Sequence, residues 1–248
     1  MGLFDFLKKS SKDSEPKGKS PRDMARFERL VGSKLSQNFD RQDALEQLSQ
    51  IGTAAAAVIL LKRFNWSMDP SITDHEEKEL AAQGIAAAGE EAIDAIREYC
   101  KRAESLTWPL KALRQIVPEP QLGEELLALL DLFDTEYVRN VEPKVQLITA
   151  LREHCSEEVR IAVEPFLTDT SEPVRFEAAE TILCVGDEVS TPALVAALEE
   201  EESLRVKNRI GQGLADRGWI IPEEWRAACE RGLPASLRLV DGKVVKGS

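Results

Sequence analysis

The chain has 248 residues, of which 43% are hydrophobic and only 6% aromatic, and its formal net charge is −12. That much apolar surface excludes global disorder, and a core rich in Ala and Leu but poor in aromatics favours packed helices over sheets. The acidic balance speaks against nucleic acid as a partner, because phosphate backbones are held by basic footprints.

Residues 1–20 carry five lysines against Asp5, Asp13 and Glu15, a net of +2, so the remainder carries −14. Within this tail, "MGLFDFLKK" (residues 1–9) is a short amphipathic segment and "SSKDSEPKGKS" (10–20) is polar linker. The segment reads either as a docking peptide for a membrane surface or partner groove, or as a terminus that folds back on its own domain. No secretory leader is recognisable, and the longest apolar run, Ala54–Leu61, is far too short to span a bilayer. A cytoplasmic protein is expected.

From here the chain repeats. Turn-like marks fall at Gly52, Gly89, Pro118, Cys155, Gly186 and Gly218, with steps of 37, 29, 37, 31 and 32 residues. Eleven residues before each mark stand Arg41, Lys78, Thr107, Lys144, Arg175 and Lys207, five of the six basic. Eight before stand Ala44, Ala81, Leu110, Leu147, Ala178 and Ile210, all apolar. Four before stand Leu48, Ile85, Arg114, Leu151, Ile182 and Leu214, with only the third unit out of step and Leu113 one place earlier. Three columns in one register predict six two-helix units, none able to cover its own apolar stripe without neighbours. In the fifth unit, Val174, Ala178, Ala179, Ile182 and Leu183 form one helical stripe. Gly186 then supplies a left-handed stop, and Pro192 opens the second helix.

The stretch "LTDTSEPVRFEAAETIL" resembles the HEAT repeat, and more closely the short bacterial repeats of the PBS-lyase type. The likeness covers about 140–215 by motif and 22–234 by register. It implies an all-α solenoid of about six helical hairpins (residues 21–234), preceded by a flexible tail (1–20) and followed by residues 235–248. It also implies a protein-interaction scaffold or adaptor that is not an enzyme. Asp169 and Arg175 match the family's Asp–Arg pair, which would join adjacent repeats, and Glu201 and Lys207 keep the same spacing. The closing "LRLVDGKVVK" is a hairpin signal around Asp241-Gly242, expected to cap the last unit.

Chemistry is sparsely signalled. Cys100, Cys155, Cys184 and Cys229 form no close pair in sequence, so no zinc site is expected and four reduced, buried thiols are. His75 and His154 lie far apart, and the single His75-Glu76 pair does not supply the several such pairs of the HEAT-like di-iron hydroxylases. No cofactor is expected. An alternative is a HEAT-like lyase acting on a bilin or similar chromophore, since that family's signature is mostly the repeat itself.

Charge gives the clearest functional pointer. Residues 119–134 hold five acids and residues 187–204 hold six, neither stretch with a Lys or Arg. Both lie in or around second helices, which the resemblance places on the concave face. The candidate surface comprises Asp94, Glu98, Glu124, Glu125, Asp131, Glu157 and Glu164, facing a basic protein partner. Lys62 and Arg63 are expected to interrupt it at the first unit. Trp66 is either a surface anchor or packed beneath its loop.

Overall fold

The computed structural model describes residues 20–247. Among the described residues are thirteen α-helices, five short 3-10 helices and one two-stranded sheet. The chain divides between Ala95 and Ile96 into two compact units, which are described separately.

The first unit opens with α1 (Pro21–Val31), begun by a capping box in which Ser20 and Asp23 satisfy each other's backbone N–H groups. The first hairpin follows as α2 (Asn38–Ile51) and α3 (Ala54–Leu61), and the second as α4 (Ser71–Ala87) and the start of α5 (Ile93–Cys100), whose residues from Ile96 onward belong to the second unit. Gly52 ends α2 with φ +57°, a conformation that costs glycine nothing and releases the chain into the next helix. Helix α2 packs on α4, and α3 packs on α4. Gly84 permits that closeness, since a Cβ there would collide with Ser49 and Leu60.

The second unit contains four further hairpins' worth of helix. These are α6 (Thr107–Ile116) with α7 (Glu119–Leu130), α8 (Glu142–Leu151) with α9 (Glu157–Val163), α10 (Glu172–Val185) with α11 (Thr191–Glu200), and α12 (Leu204–Arg217) with α13 (Arg226–Gly232). Proline near the start of α7, α8, α10 and α11 sets the entry angle without losing a hydrogen bond. First helices stack on first helices (α8 on α10 on α12), and second on second (α7 on α9, α11 on α13). Gly213 lets α12 approach α10, where a Cβ would strike Leu183.

Every mark read from the sequence lies at a turn between the helices of a pair. The column eight before each mark is buried throughout: Ala44, Ala81, Leu110, Leu147, Ala178 and Ile210. In the column four before, Leu113 replaces exposed Arg114 in the core, as its offset predicts.

Strands β1 (Leu237–Val240) and β2 (Lys243–Lys246) pair antiparallel, with Val240 opposite Lys243. Asp241 and Gly242 have φ of 51° and 77°, as a two-residue type I′ turn requires. The hairpin packs β1 on α13 and β2 on α12, burying Leu237 and Val244. Its Gly242 carbonyl accepts a 2.7 Å hydrogen bond from the Ile221 N–H. The apolar end of the last repeat is thereby covered.

Candidate functional site: an acidic helix surface and the ion pairs beneath it

The basic column is an internal feature. In the second unit, Lys144 is buried at the start of α8, and its Nζ donates to Asp169 Oδ2 at 2.8 Å and to the Glu136 carbonyl at 2.9 Å. Asp169 Oδ1 accepts from the Ser171 N–H at 2.8 Å, so this carboxylate both turns the chain into α10 and neutralises Lys144. One repeat later, Arg175 grips Glu201 bidentately, Nε to Oε2 at 2.7 Å and Nη2 to Oε1 at 2.8 Å. Glu201 Oε1 also accepts from the N–H groups of Glu202 and Ser203, at 2.9 and 2.8 Å. Burial raises the Glu201 carboxyl, but the Arg175 hydrogen bond and these N–H groups outweigh it and hold the group below the usual carboxylate range.

This corrects the Asp169–Arg175 charge pair expected from the spacing. Arg175 does reach Asp169, but through the backbone: its Nη1 donates to the Asp169 carbonyl at 2.9 Å. Six residues place the two on either side of a helix start, with the carboxylate turned back toward the preceding repeat. Lys144 and Arg175 thus each pair with the acid that closes their own repeat.

The first unit condenses the same elements into one cluster. Glu77 on α4 accepts from Arg41 Nε and Nη2, both at 2.8 Å, and from Arg63 Nε at 2.7 Å. Arg63 Nη2 donates to Asp74 at 2.7 Å, and Asp74 also takes Lys78 Nζ at 2.7 Å. Both arginines are 0% exposed and Glu77 is 5% exposed. Burial raises Asp74, but hydrogen bonds from Lys78 and Arg63 prevail and its carboxyl lies below the ordinary value. The Trp66 ring lies over Arg63, 3.7 Å from the guanidinium carbon to the ring centroid, and 5.1 Å from that of Arg41. Trp66 is half-buried over this cluster, and its Nε1 is buried. Arg63 is thus no surface cation, and Lys62 pairs with Glu28, so the expected basic interruption of the surface is corrected.

The acids proposed from sequence fall into two groups. Glu98, Glu124, Asp131 and Glu157 are exposed in the second unit. Helix α7 explains why Glu124 points outward: Leu122, Leu126, Leu129 and Leu130 take its buried face. Glu98 pairs with Lys101 at 2.6 Å, which leaves its carboxyl lowered, and Glu157 lies 3.7 Å from Arg160. Glu125 and Glu164 are half-buried and structurally engaged. Glu125 is gripped by Arg97 of α5 at 2.6–3.0 Å, and Glu164 accepts from Ser190 at 2.7 Å and Arg160 at 3.2 Å. Asp94 is exposed on the part of α5 that belongs to the first unit.

Further inter-repeat pairs tie the second unit together: Arg114–Glu153, Arg152–Glu177, Arg205–Glu172, Arg209–Glu180 and Arg231–Glu199. None was legible singly, because each needs the angular position of two helices.

The cysteines divide. Cys100 and Cys229 are buried, and burial pushes their thiols up to about 12 and about 11. Cys155 and Cys184 are exposed, which corrects the expectation of four buried thiols, and their sulfurs lie 3.5 Å apart. Of the four tryptophans, Trp219 is buried. Among the described residues, no cluster of three or more His, Cys, Asp or Glu side chains suits a metal ion, and no helix is long and apolar enough to cross a membrane. The amphipathic segment at residues 1–9 lies outside the described residues.

Residues 126–215 match the family model of HEAT repeats. Comparison with curated proteins returned no match. HEAT repeats commonly serve as protein-interaction scaffolds and are generally non-catalytic. The paired helices, the shared register and the matched segment agree: residues 126–215 are HEAT repeats, and the helical pairs around them have the build of an α-solenoid.

Proposed function

We propose that this protein is a scaffold or adaptor whose second unit docks a protein partner richer in Lys and Arg than itself, along its second helices. One observation carries this reading. Over residues 119–134 there is no basic side chain, Leu122, Leu126, Leu129 and Leu130 of α7 are buried, and Glu124 and Asp131 are exposed. An acidic strip of this kind raises the encounter rate with basic proteins and repels nucleic acid. Glu98 and Glu157 extend the strip on α5 and α9. Glu125 and Glu164 support it from beneath, through Arg97 and Arg160. Asp94 adds acidity within the first unit, and Trp66 serves that unit by covering its buried arginines. The cytoplasm is the compartment assigned, since four cysteines with no close pair in sequence read as thiols of a reducing environment.

The test is affinity capture from the native cells with the intact chain and with Glu124→Lys/Asp131→Lys. A protein of basic composition retained by the first bait and lost from the second supports the reading. A partner captured equally by both removes it.

A further inference from the structure

We propose that Cys155 and Cys184 form a redox-reversible disulfide within the chain, a modification site that fastens one HEAT repeat to the next. The two residues come from different helical pairs. Cys155 follows the turn at the end of α8, and Cys184 stands in the last turn of α10. Packing of α8 on α10 brings these ends together. The sulfurs are 3.5 Å apart, and both side chains are exposed to small reagents. Both thiols point at one acceptor, the Arg152 carbonyl, at 3.3 Å from Cys155 and 3.8 Å from Cys184. The shared acceptor fixes both sulfurs on the same side of the helix ends. Bond formation needs an approach of roughly 1.5 Å toward the usual S–S length. Cys155 lies outside regular helix, so its segment has freedom to supply that movement.

A third repeat contributes charge. Arg217, closing α12, donates through Nη2 to the Leu183 carbonyl and, at 3.3 Å, to that of Cys184. Its guanidinium is thereby held over the end of α10, where a Cβ on Gly186 would stand 2.6 Å from Nη1. A fixed cation near the Cys155 thiol works toward the thiolate, the species that exchanges with disulfides. Burial and the neighbouring Cys184 thiol leave the Cys155 thiol raised overall, and Arg217 offsets only part of that.

The oxidant class is a small-molecule disulfide, represented by oxidised glutathione. One protein thiolate attacks a glutathione sulfur, forming a mixed disulfide and expelling one glutathione thiolate. The second protein thiolate attacks the protein-side sulfur of that mixed disulfide and expels the other glutathione. Two protein thiols lose two electrons, one glutathione disulfide becomes two thiols, and the two protons pass to the departing thiolates. Excess reduced glutathione or a dithiol reverses the sequence.

The experiment equilibrates the full chain with a series of reduced-to-oxidised glutathione ratios. The products are trapped with acid and alkylated, and the linkage is mapped by mass spectrometry without reduction. The expected result is a monomer that loses two of its four thiols, carries no glutathione, and yields a peptide joining positions 155 and 184. Cys155→Ser and Cys184→Ser should instead retain a glutathione adduct on the remaining exposed cysteine. Three outcomes overturn the proposal: both thiols staying free at every ratio, glutathione adducts persisting on both sulfurs of the wild type, or a linkage between separate chains. Cys100 and Cys229, being buried, serve as internal controls and should stay reduced.

Discussion

The two units handle charge in opposite ways. The first gathers Arg41, Arg63, Asp74, Glu77 and Lys78 into one sealed cluster under Trp66, with Glu77 shared between two fully buried guanidiniums. The second spreads its ions out. Two successive repeats each close on one pair, Lys144–Asp169 and then Arg175–Glu201, and acidic side chains remain outside along α7 and α9. A shared cluster makes every member depend on the others. A distributed ladder lets each repeat be satisfied locally and leaves the surface free to be tuned for a partner. The same basic column thus serves as a core in one unit and as a series of repeat closures in the other.

The sharpest way to break this comparison is Glu77→Gln. It leaves buried Arg41 without a carboxylate and Arg63 with Asp74 alone, and breaking one buried pair already costs about 3–5 kcal/mol. Urea unfolding should show a loss at or above the top of that range, confined to the first unit if the two unfold separately. Asp169→Asn removes the partner of a single buried lysine and should fall within about 3–5 kcal/mol. Arg175→Ala should cost less, about 1.5–3 kcal/mol, because the arginine is partly exposed and its loss frees Glu201 to use its backbone partners. If Asp169→Asn proves as mild as an exposed pair such as Arg114–Glu153, which is worth about 0–1 kcal/mol, the ladder is not a closure device.

Acid provides a gentler probe. The Asp74 and Glu201 carboxyls are both depressed in the folded state. Each therefore contributes stability that is complete above the unfolded carboxylate value, about 4, and fades as pH falls through the folded value. Stability measured from about pH 5 downward should decline in the wild type. The decline should be shallower in Glu201→Gln, which has already lost its share. Equal slopes would mean that Glu201 is not held low by Arg175.

Much of this architecture is legible in the sequence, and the limits have physical causes. Ala44, Ala81, Leu147, Ala178 and Ile210 announce themselves because a helical stripe repeats at fixed register, and stacking must bury it. Gly52, Gly186 and Gly218 announce the turns because a left-handed helix end favours glycine. Asp169 and Arg175 are legible as important but not as to partner. Spacing cannot say whether a guanidinium meets a carboxylate or the carbonyl of the same residue. Arg63 reads as a surface cation because "LLKRF" hides that its side chain turns under Trp66 toward Glu77. Cys155 and Cys184 meet only because two helices end side by side, and a separation of 29 residues does not reveal that. For the acidic surface, the sequence shows a stretch over α7 with five acids and no Lys or Arg. It does not distinguish exposed Glu124 from Glu125, which Arg97 has claimed.

That last distinction shapes the decisive measurement. The central claim is that exposed acids on the second unit steer a basic partner while its internal pairs hold the fold. Glu124→Lys/Asp131→Lys leaves Glu125 and its Arg97 bond in place, so thermal stability should stay nearly unchanged. The association rate of the captured partner should be followed by stopped flow for both forms across a salt series. The account predicts slower association in the double variant, by roughly tenfold at low salt, with the gap closing as the Debye length falls below about 8 Å. Equal association rates at low salt, with both proteins folded, would contradict it.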